Sequence, residues 1–318
     1  MPKVTLSLDN GPDPDVTPGV LETLARHGLQ STFFVIGEKA ATPAGRALME
    51  RAHAEGHWIG NHTYTHSIPL GEDTDPEAPA REIGRTQDVI GGYSHSLRYF
   101  RPFGAGGFLD DRVFSPEARD YLLRGRYTCV NWNCVPRDWE HQDGGWVEIG
   151  LDLCGQLDWS LVVVHDFLPD AGRHLDRFIV ELKARGFEFT QEFPADCVPV
   201  VQGEVRSPID SLVRDYPLVE WTQEDLVRLR GELQSATVRT LLESCAAREG
   251  EHVPFSELVG KVGRSDDDCR ADLDAFSVLV TRRFARRNWP ITYAWSAGGD
   301  AQAYYRMAPE LAAWWRTG

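Results

Sequence analysis

The chain has 318 residues, of which 42% are hydrophobic and 25% charged, a composition typical of soluble globular proteins. It carries 33 basic and 48 acidic residues, and residues 1–200 hold 18 of the basic and 30 of the acidic ones, a net charge of −12. A net negative charge this large argues against binding of nucleic acid or an anionic membrane by residues 1–200.

Apolar, β-branched runs alternate with segments of helical period over the first 190 residues. The runs are KVTLSLD, STFFVIG, HWIGNH, LRYFRPFG, YTCVNWN and SLVVVHDF. In the first helical segment Val20, Leu21 and Leu24 form the apolar face, and Gly28 ends the helix. Strands that alternate with helices predict a parallel sheet of βα units. Six or seven units predict an α/β fold, a deformed (β/α)7 barrel slightly short of eight.

The alternation stops near residue 195. The strip FPADCVPVVQGEVRSPIDSLVRDYP contains three prolines before residue 210 and shows no clear period. We therefore predict a barrel domain over residues 1–195, a linker over 196–218 and a second domain over 219–318.

The last hundred residues predict helices followed by a β-hairpin. The segment TQEDLVRLRGELQSATVRTLLESCAARE predicts one continuous first helix that starts at a capping-box variant, Thr222 with Asp225. A second helix ends at Gly263 and a third starts at Ser265. ITYAW and AQAYYRM would pair around Gly298-Gly299, and a closing helix would follow them. This order resembles a small α+β winged helix-turn-helix. Acids at 266–268 on the first turn of the third helix would repel phosphate, so we expect a protein-interaction or dimerisation module.

Reactive side chains recur close behind the predicted strands of the first domain. In a βα barrel the ends of the strands share one face, where active sites lie. The H-x-x-x-H spacing can direct two imidazoles to one point, and neutral imidazole binds zinc and other first-row metals. Three plainer interpretations stay open: histidines exposed on a turn, a structural Arg101–Asp138 ion pair, and a helix N-terminus at His165-Asp166. The side chains are Asp9, His62, His66, Arg101, Asp138 and His165.

Five short motifs in this part of the chain resemble those of the polysaccharide deacetylases, the NodB-like fold of carbohydrate esterase family 4. The resemblance covers about residues 1–190. Five motifs in the family's order are far more specific than any one alone. They are SLDNGP, HTYTH, FRPFG, WNCVPRDW and LVVVHD.

The resemblance implies a role for each matching residue. Asp9 corresponds to the general base and Arg101 to the arginine that orients it. His165 corresponds to the general acid, and Asp138 to the carboxylate that keeps this histidine charged. His62 and His66 correspond to the two metal-binding histidines. The residues implied in substrate binding are Pro102, Phe103, Gly104 and Trp139.

Two positions depart from the family pattern. Asn10 stands where the family has an aspartate as third metal ligand, and Val135 replaces the first acid of the fourth motif. An amide oxygen is a neutral and weaker donor than a carboxylate. The site could bind zinc through its histidines, waters and Asn10, bind metal only weakly, or be metal-free. Retention of the base, the acid and their partners favours an active enzyme.

We therefore expect a hydrolase of carbon–nitrogen bonds that deacetylates an N-acyl amino sugar or a related small amide, with a divalent metal, zinc first. The alternative is a catalytically silent or metal-free barrel that binds a ligand and acts through a C-terminal interaction or DNA-binding module. We see no signal peptide and six scattered cysteines, which predict a cytoplasmic protein. We expect no membrane span and no nucleic acid, and a protein partner or homo-oligomer through residues 219–318.

Overall fold

The computed structural model of the chain describes residues 1–73, 75–213, 219–248, 250–286, 288–295 and 303–317. The chain divides into two compact units. The first comprises Met1–Leu70 and Asp75–Val213, and the second comprises Gly71–Thr74 and Arg214–Gly318. Each unit has a buried hydrophobic core of its own, as expected of a domain.

The first unit is built on a curled sheet of nine described strands. Their order is β6-β1-β2-β3-β4-β5-β8-β9, and β7 pairs in parallel with the start of β1. The pairs from β6 to β5 are parallel, whereas β8 and β9 run antiparallel. The strands are β1 (Lys3–Asp9), β2 (Thr32–Val35), β3 (Trp58–Asn61), β4 (Tyr99–Phe100), β5 (Thr128–Cys129), β6 (Trp159–His165), β7 (Glu188–Phe189), β8 (Val200–Val201) and β9 (Glu204–Val205).

Helices connect these strands and cover the sheet, so the predicted α/β class is confirmed. Leu6 and Leu8 of the sheet pack with Leu21 and Phe178 of the helices in one buried cluster. The first helix ends at Gly28, which has a left-handed backbone as predicted. The helices are α1 (Thr17–His27), α2 (Gly37–Ala40), α3 (Pro43–Ala54), α4 (Arg85–Ile90), α5 (Pro116–Arg124), α6 (Trp146–Cys154) and α7 (Ala171–Ala184).

The segment after β5 connects the two sides of the curled sheet. The Cys134 N–H donates to the Leu161 carbonyl (3.2 Å), and the Val163 N–H donates to the Cys134 carbonyl (3.0 Å). This short parallel bridge joins the segment to β6. It thereby brings the loop that contains Asp138 beside the end of β6.

Part of the predicted linker is built into the first unit. Val200 of β8 pairs with Cys129 of β5, and the Phe114 N–H donates to the Leu212 carbonyl (2.9 Å). Leu212 is buried in a cluster with Phe114. Residues 200–213 therefore belong to the first unit, although their sequence shows no strand period.

The second unit combines helices with a small antiparallel sheet of order β10-β12-β11. The first predicted helix is divided in two, because Leu233 is extended and Ser235 caps a new helix. The capping box of Thr222 with Asp225 is confirmed, and the predicted turn at Gly298-Gly299 lies outside the described residues. The elements are α8 (Gln223–Glu232), α9 (Ala236–Ala247), β10 (Val253–Pro254), α10 (Phe255–Val262), α11 (Asp266–Phe284), β11 (Thr292–Trp295), β12 (Ala303–Arg306) and α12 (Pro309–Thr317).

Over the part of the chain that the structure describes, no helix combines the length and the apolar character needed to cross a bilayer.

Helix α7 provides a test of the packing of the first unit. Phe178 is fully buried against Trp146 (ring centroids 5.2 Å apart), whereas Val180 is 49% exposed on the same helix. Phe178→Ala should lower the free energy of unfolding by about 3–5 kcal/mol, because it leaves a cavity in the core. Val180→Ala should change it by less than about 0.5 kcal/mol. Urea unfolding followed by circular dichroism measures both, and equal effects would contradict the packing described.

Candidate active site

The sheet brings the chemically reactive residues to one edge. Strands β1 and β6 end at Asp9 and His165, which are partners in the parallel register. His62 directly follows β3 and Arg101 directly follows β4. Because the carboxyl ends of parallel strands meet at the same edge, four separate segments contribute to one site.

Asp9 and Arg101 form a buried ion pair at the centre of this edge. Arg101 Nη1 donates to Asp9 Oδ1 (2.9 Å) and to Ser7 Oγ (2.6 Å). Burial lowers the pKa of the Arg101 guanidinium, and the Asp9 carboxylate opposes that shift. The guanidinium therefore occupies one oxygen of Asp9 and leaves the other directed at His62, whose Nε2 lies 3.6 Å from Asp9 Oδ2.

His62 is held as a neutral imidazole in one tautomer. Its side chain is 2% exposed, and burial lowers the pKa of His62 to about 3. The Nδ1–H donates to the carbonyl of Arg101 (2.8 Å), which leaves Nε2 as the unprotonated nitrogen. Such a second hydrogen bond is the usual way in which a protein orients a metal-binding histidine.

His66 lies beside His62 at the other end of the same loop. The two ring centroids are 4.9 Å apart. Burial, with His62 and His165 nearby, holds the pKa of His66 well below its ordinary value. The His66 ring stacks on Phe103 at 3.9 Å. The structure thus brings together two neutral imidazoles, of which His62 is buried and His66 is half-buried, and not two histidines exposed on a turn.

Asp138 and His165 form the second charged pair of the site. Asp138 Oδ1 lies 2.7 Å from His165 Nδ1, and Asp138 Oδ2 accepts the backbone N–H of His165 (2.7 Å). Burial opposes the charged imidazole, but Asp138, followed by Asp9 and Asp166, outweighs it and raises the pKa of His165. Since Asp138 binds Nδ1, the second ring N–H of the imidazolium is at Nε2. Asp138 is thus the partner of His165, and Arg101 is paired with Asp9 instead.

Asn10 directly follows Asp9 and opens the loop after β1. Asn10 has a left-handed backbone (φ 72°), and its carbonyl accepts a hydrogen bond from Lys39 Nζ (2.7 Å). Its side-chain Oδ1 is buried and has no hydrogen-bond partner among the described residues. A buried acceptor without a partner is costly, which makes this oxygen a candidate ligand for a bound species.

Gly11 packs directly on Asp166, the residue after His165. A Cβ at position 11 would lie 2.1 Å from Asp166 Oδ2, so no side chain fits there. Thr17 Oγ1 donates to the same carboxylate oxygen (2.6 Å), and the Asp166 N–H donates to the Asp9 carbonyl (3.4 Å). The loops that follow β1 and β6 are therefore in direct backbone contact.

The predicted substrate-binding residues lie in the loops that follow β4 and β5. Pro102 and Phe103 are buried, and a Cβ on Gly104 would lie 2.1 Å from the Phe108 carbonyl. Trp139 is half-buried and meets the His165 ring edge-on at 5.3 Å. Val135, at the position of the missing acid, packs against Gly107. The roles of these residues in substrate binding stay predictions. The ring of Phe103 is already stacked on His66.

His62, His66 and Asn10 offer donor atoms of the types that a divalent first-row metal takes. His62 and His66 are neutral, and the unpartnered Asn10 oxygen is a third donor close in sequence to Asp9. Within the described ranges, however, no group of three His, Cys, Asp or Glu side chains lies close enough to hold a metal ion. The donor set is therefore suited to a metal but lacks an anionic ligand.

Sequence reasoning missed two residues that contact the loops of the site, Lys39 and Glu82. Lys39 lies four residues after β2, so the rule that strand ends share one edge could have indicated it. Glu82 binds backbone N–H groups of residues 64 and 65. Because every residue other than proline offers such a donor, no spacing of side chains indicates this contact.

Comparisons with known proteins agree with these features. Residues 1–117 match the family model described as polysaccharide deacetylase. A peptidoglycan-N-acetylglucosamine deacetylase of Listeria monocytogenes is 31% identical over 191 residues, 59% of this chain and 37% of that protein. A chitooligosaccharide deacetylase of Sinorhizobium fredii is 33% identical over 170 residues, 53% of this chain and 74% of that protein. The chain thus spans little more than a third of the length of the Listeria relative.

A solved structure shares the fold. A family 4 carbohydrate esterase from Streptomyces lividans, in complex with acetate, has a TM-score of 0.50 and 23% identity, covering 65% of this chain and 98% of that one.

The Asp138–His165 pair gives a prediction about protonation. Asp138→Asn should lower the pKa of His165, because the largest contribution that favours the imidazolium is removed. In the wild type, stabilisation from this pair is complete below pH 6.5 and is lost as the pH rises through the raised folded-state pKa. Titration of the ring by NMR measures the shift. Glu140→Gln, an exposed neighbour, is the control, and an unchanged His165 pKa in Asp138→Asn would contradict the pairing.

Proposed function

The chain belongs to the polysaccharide deacetylase family, and from this premise we propose that it hydrolyses the amide C–N bond of an N-acyl amino sugar. One observation carries the proposal. Two neighbouring strands end in a charged pair each. At the end of β1 a buried arginine orients the Asp9 carboxylate, and at the end of β6 a buried carboxylate keeps His165 charged. Two neutral histidines lie beside these pairs. This arrangement supplies a base, an acid and metal donors at one edge of the sheet.

Asp9 is the general base in this proposal. Its Oδ2 takes a proton from the attacking water, while Arg101 holds Oδ1 and fixes the plane of the carboxylate. The arginine is fully buried, so the carboxylate is oriented before substrate binds. Preorganisation of this kind is a large part of catalysis, because it removes a reorganisation step from the reaction.

His165 is the general acid. As the C–N bond breaks, the proton on its Nε2 passes to the leaving nitrogen, and the products are the free amine and the carboxylic acid. An amine is a poor leaving group unless it is protonated. Asp138 keeps the imidazole charged and directs Nε2 into the site through its bond to Nδ1.

We propose that a divalent ion, zinc first, is held by His62 and His66 with Asn10 as a weaker third donor. When bound, such an ion polarises the amide carbonyl and lowers the pKa of its water. The buried, unpartnered Oδ1 of Asn10 supports this assignment. Its neutrality supports weaker binding than a carboxylate would give.

The names of the relatives support the substrate class. One is named for the N-acetylglucosamine of peptidoglycan and another for chitooligosaccharides. Trp139 beside His165 offers an aromatic face of the kind that packs on a sugar ring. The six cysteines are all buried and unpaired, which suits a reducing compartment. A cytoplasmic location, and with it a small acylated sugar as substrate, therefore stays our proposal.

A second candidate is a catalytically silent member of the fold that binds a ligand. It is favoured by Asn10 at the third ligand position and by the absence of a group of three His, Cys, Asp or Glu metal ligands among the described residues. The retained base and acid pairs favour the hydrolase. Zinc binding with acetate release from N-acetylated glucosamine oligomers separates the two candidates.

For the second unit we propose a winged-helix-like module that contacts protein. The order α9, β10, α10, α11, β11, β12 with a three-stranded antiparallel sheet supports the first part. Asp266, Asp267 and Asp268 at the start of α11 support the second, because they disfavour phosphate there. Tight, salt-sensitive binding of DNA by the chain would contradict it.

The role of Asp9 gives a prediction about activity. Asp9→Asn keeps an acceptor for Arg101 but removes the basic oxygen, so acetate release should fall by at least about 100-fold. Zinc bound per chain, measured by atomic absorption, should not change. Asp15→Asn, an exposed substitution in the same loop, should retain wild-type turnover. Full activity of Asp9→Asn would refute the assignment of the base.

The neutral ligand gives a prediction about metal affinity. Asn10→Asp should tighten zinc binding by about tenfold or more, equivalent to about 1.4 kcal/mol, because a carboxylate replaces an amide oxygen. Isothermal titration calorimetry of the metal-free chain measures this affinity. Gln156→Glu adds the same charge at an exposed position after α6 and should leave it unchanged. Equal affinities in Asn10→Asp and the wild type would show that Asn10 does not bind the ion.

A further inference from the structure

We propose that Glu82 is a positioning residue that fixes the loop between His62 and His66 and so sets the geometry of the two histidines. The inference rests on the proposed function, because it gives this loop the role of holding a metal. Glu82 lies 16 residues beyond His66 in sequence and belongs to none of the five motifs. It is nonetheless buried, at 4% exposure, against the loop.

The loop between the histidines has a backbone that needs external support. Thr63 and His66 both have left-handed conformations, with φ of 66° and 52°. For a β-branched residue such as Thr63 this conformation is rare and unfavourable. A strained loop of this kind persists only where its surroundings hold it in place.

Glu82 supplies that hold with both carboxylate oxygens. Its Oε2 accepts the backbone N–H groups of Tyr64 (3.0 Å) and Thr65 (2.8 Å). Its Oε1 accepts the hydroxyl of Thr65 (2.9 Å). An ionised carboxylate has acceptors only, so it matches three converging donors.

A local departure from the α-helix places Glu82 against the loop. Residues Ala80–Gly84 form a π-helical turn directly before α4. The Asn61 side chain donates to the Ile83 carbonyl (2.8 Å) and accepts the Thr63 N–H (3.1 Å), which joins this turn to the end of β3. Single π-helical turns within helices are rare and occur frequently at functional sites.

Backbone hydrogen bonds hold the opposite side of the loop. The Gly37 N–H donates to the Thr63 carbonyl (2.9 Å), and the Glu38 N–H donates to the Tyr64 carbonyl (3.0 Å). With Glu82 on the N–H side and α2 on the carbonyl side, the peptides between the two histidines have little freedom. The separation of the two imidazoles is therefore determined by Glu82 as much as by the H-x-x-x-H spacing.

Three variants test this role in the full chain. Glu82→Ala removes every acceptor. Glu82→Asp keeps the charge but withdraws it by one methylene. Glu82→Gln keeps the length, since its oxygen can accept the two N–H groups while its amide donates to the Thr65 hydroxyl. Glu77→Ala, an exposed glutamate just before the same turn, is the matched control.

Two readouts are needed, one with metal and one without. Zinc affinity by calorimetry should weaken ten- to hundredfold in Glu82→Ala and Glu82→Asp, and change less than about threefold in Glu82→Gln and Glu77→Ala. Hydrogen–deuterium exchange of the metal-free chain should accelerate at least about tenfold in residues 62–67 of Glu82→Ala, with exchange in β1 and β6 unchanged. A purely structural role would lower the stability of the whole unit and leave the zinc affinity of the folded chain unaltered.

The outcomes separate this inference from the proposed function. If the wild type binds zinc and Glu82→Ala binds it equally well, the positioning role is wrong and the hydrolase proposal stands. If Glu82→Gln weakens zinc binding as much as Glu82→Ala does, the hydrogen-bond geometry is not what matters and the inference fails.

If the wild type binds no zinc, the metal proposal fails, and hydrogen–deuterium exchange alone tests the positioning role of Glu82. Local acceleration of exchange in Glu82→Ala then supports this role, and unchanged exchange overturns it. Should Glu82→Ala not fold, Glu82→Asp replaces it in each comparison.

Discussion

The buried guanidinium of Arg101 is the group on which the site depends. It is fully buried, and its donors go to β1, through Ser7 and Asp9, and to the carbonyls of Val130 and Asn131 beyond β5. Its plane lies over the Phe34 ring on β2, 4.1 Å from the centroid. A buried cation of this kind is tolerated only when its partners are complete, because removal of one leaves an unpaired charge. The same interaction that ties the strands together therefore also orients the base.

The protonation states of the three histidines depend on the balance between burial, which lowers the pKa of an imidazole, and nearby carboxylates, which raise it. For His62 and His66 burial dominates, so both imidazoles stay neutral and can act as ligands. For His165 the contact with Asp138 outweighs burial, so the third imidazole holds a proton. One residue type thus has two chemical roles within the site, and the difference lies in the close hydrogen bond between Asp138 and His165 Nδ1.

Much of the fold and the location of the site follow from sequence, because both depend on where apolar runs end. Asp9 and His165 end strands, and His62 and Arg101 follow them directly, so the rule that parallel strand ends share an edge groups them. Asp138 lies nine residues beyond β5, and its contact with His165 depends on the bridge at Cys134, which no residue pattern indicates.

Two kinds of feature account for most of the structure that the sequence did not predict. They are side-chain contacts to backbone groups, and strands of only two residues. Glu82 binds peptide N–H groups, which are present at almost every position. Strands β8 and β9 have two residues each, too few to show a period, so their segment resembles a linker. The Leu233–Ser235 break lies inside a continuous helical pattern, and only the cap at Ser235 marks it.

The contact of Gly11 with Asp166 has a consequence for how the pocket can adapt. With no Cβ between them, the backbone after β1 lies against the carboxylate that follows His165, and a further hydrogen bond joins Asp166 to Asp9. The loops that carry the base and the acid are thus fastened to each other, which limits any change in the distance between Asp9 and His165. Adaptation to ligands of different size then falls to the loops after β4 and β5, which contain Phe103, Gly104 and Trp139. Members of the fold that accept different acyl chains or sugars should differ in those two loops and keep the Gly11 contact unchanged.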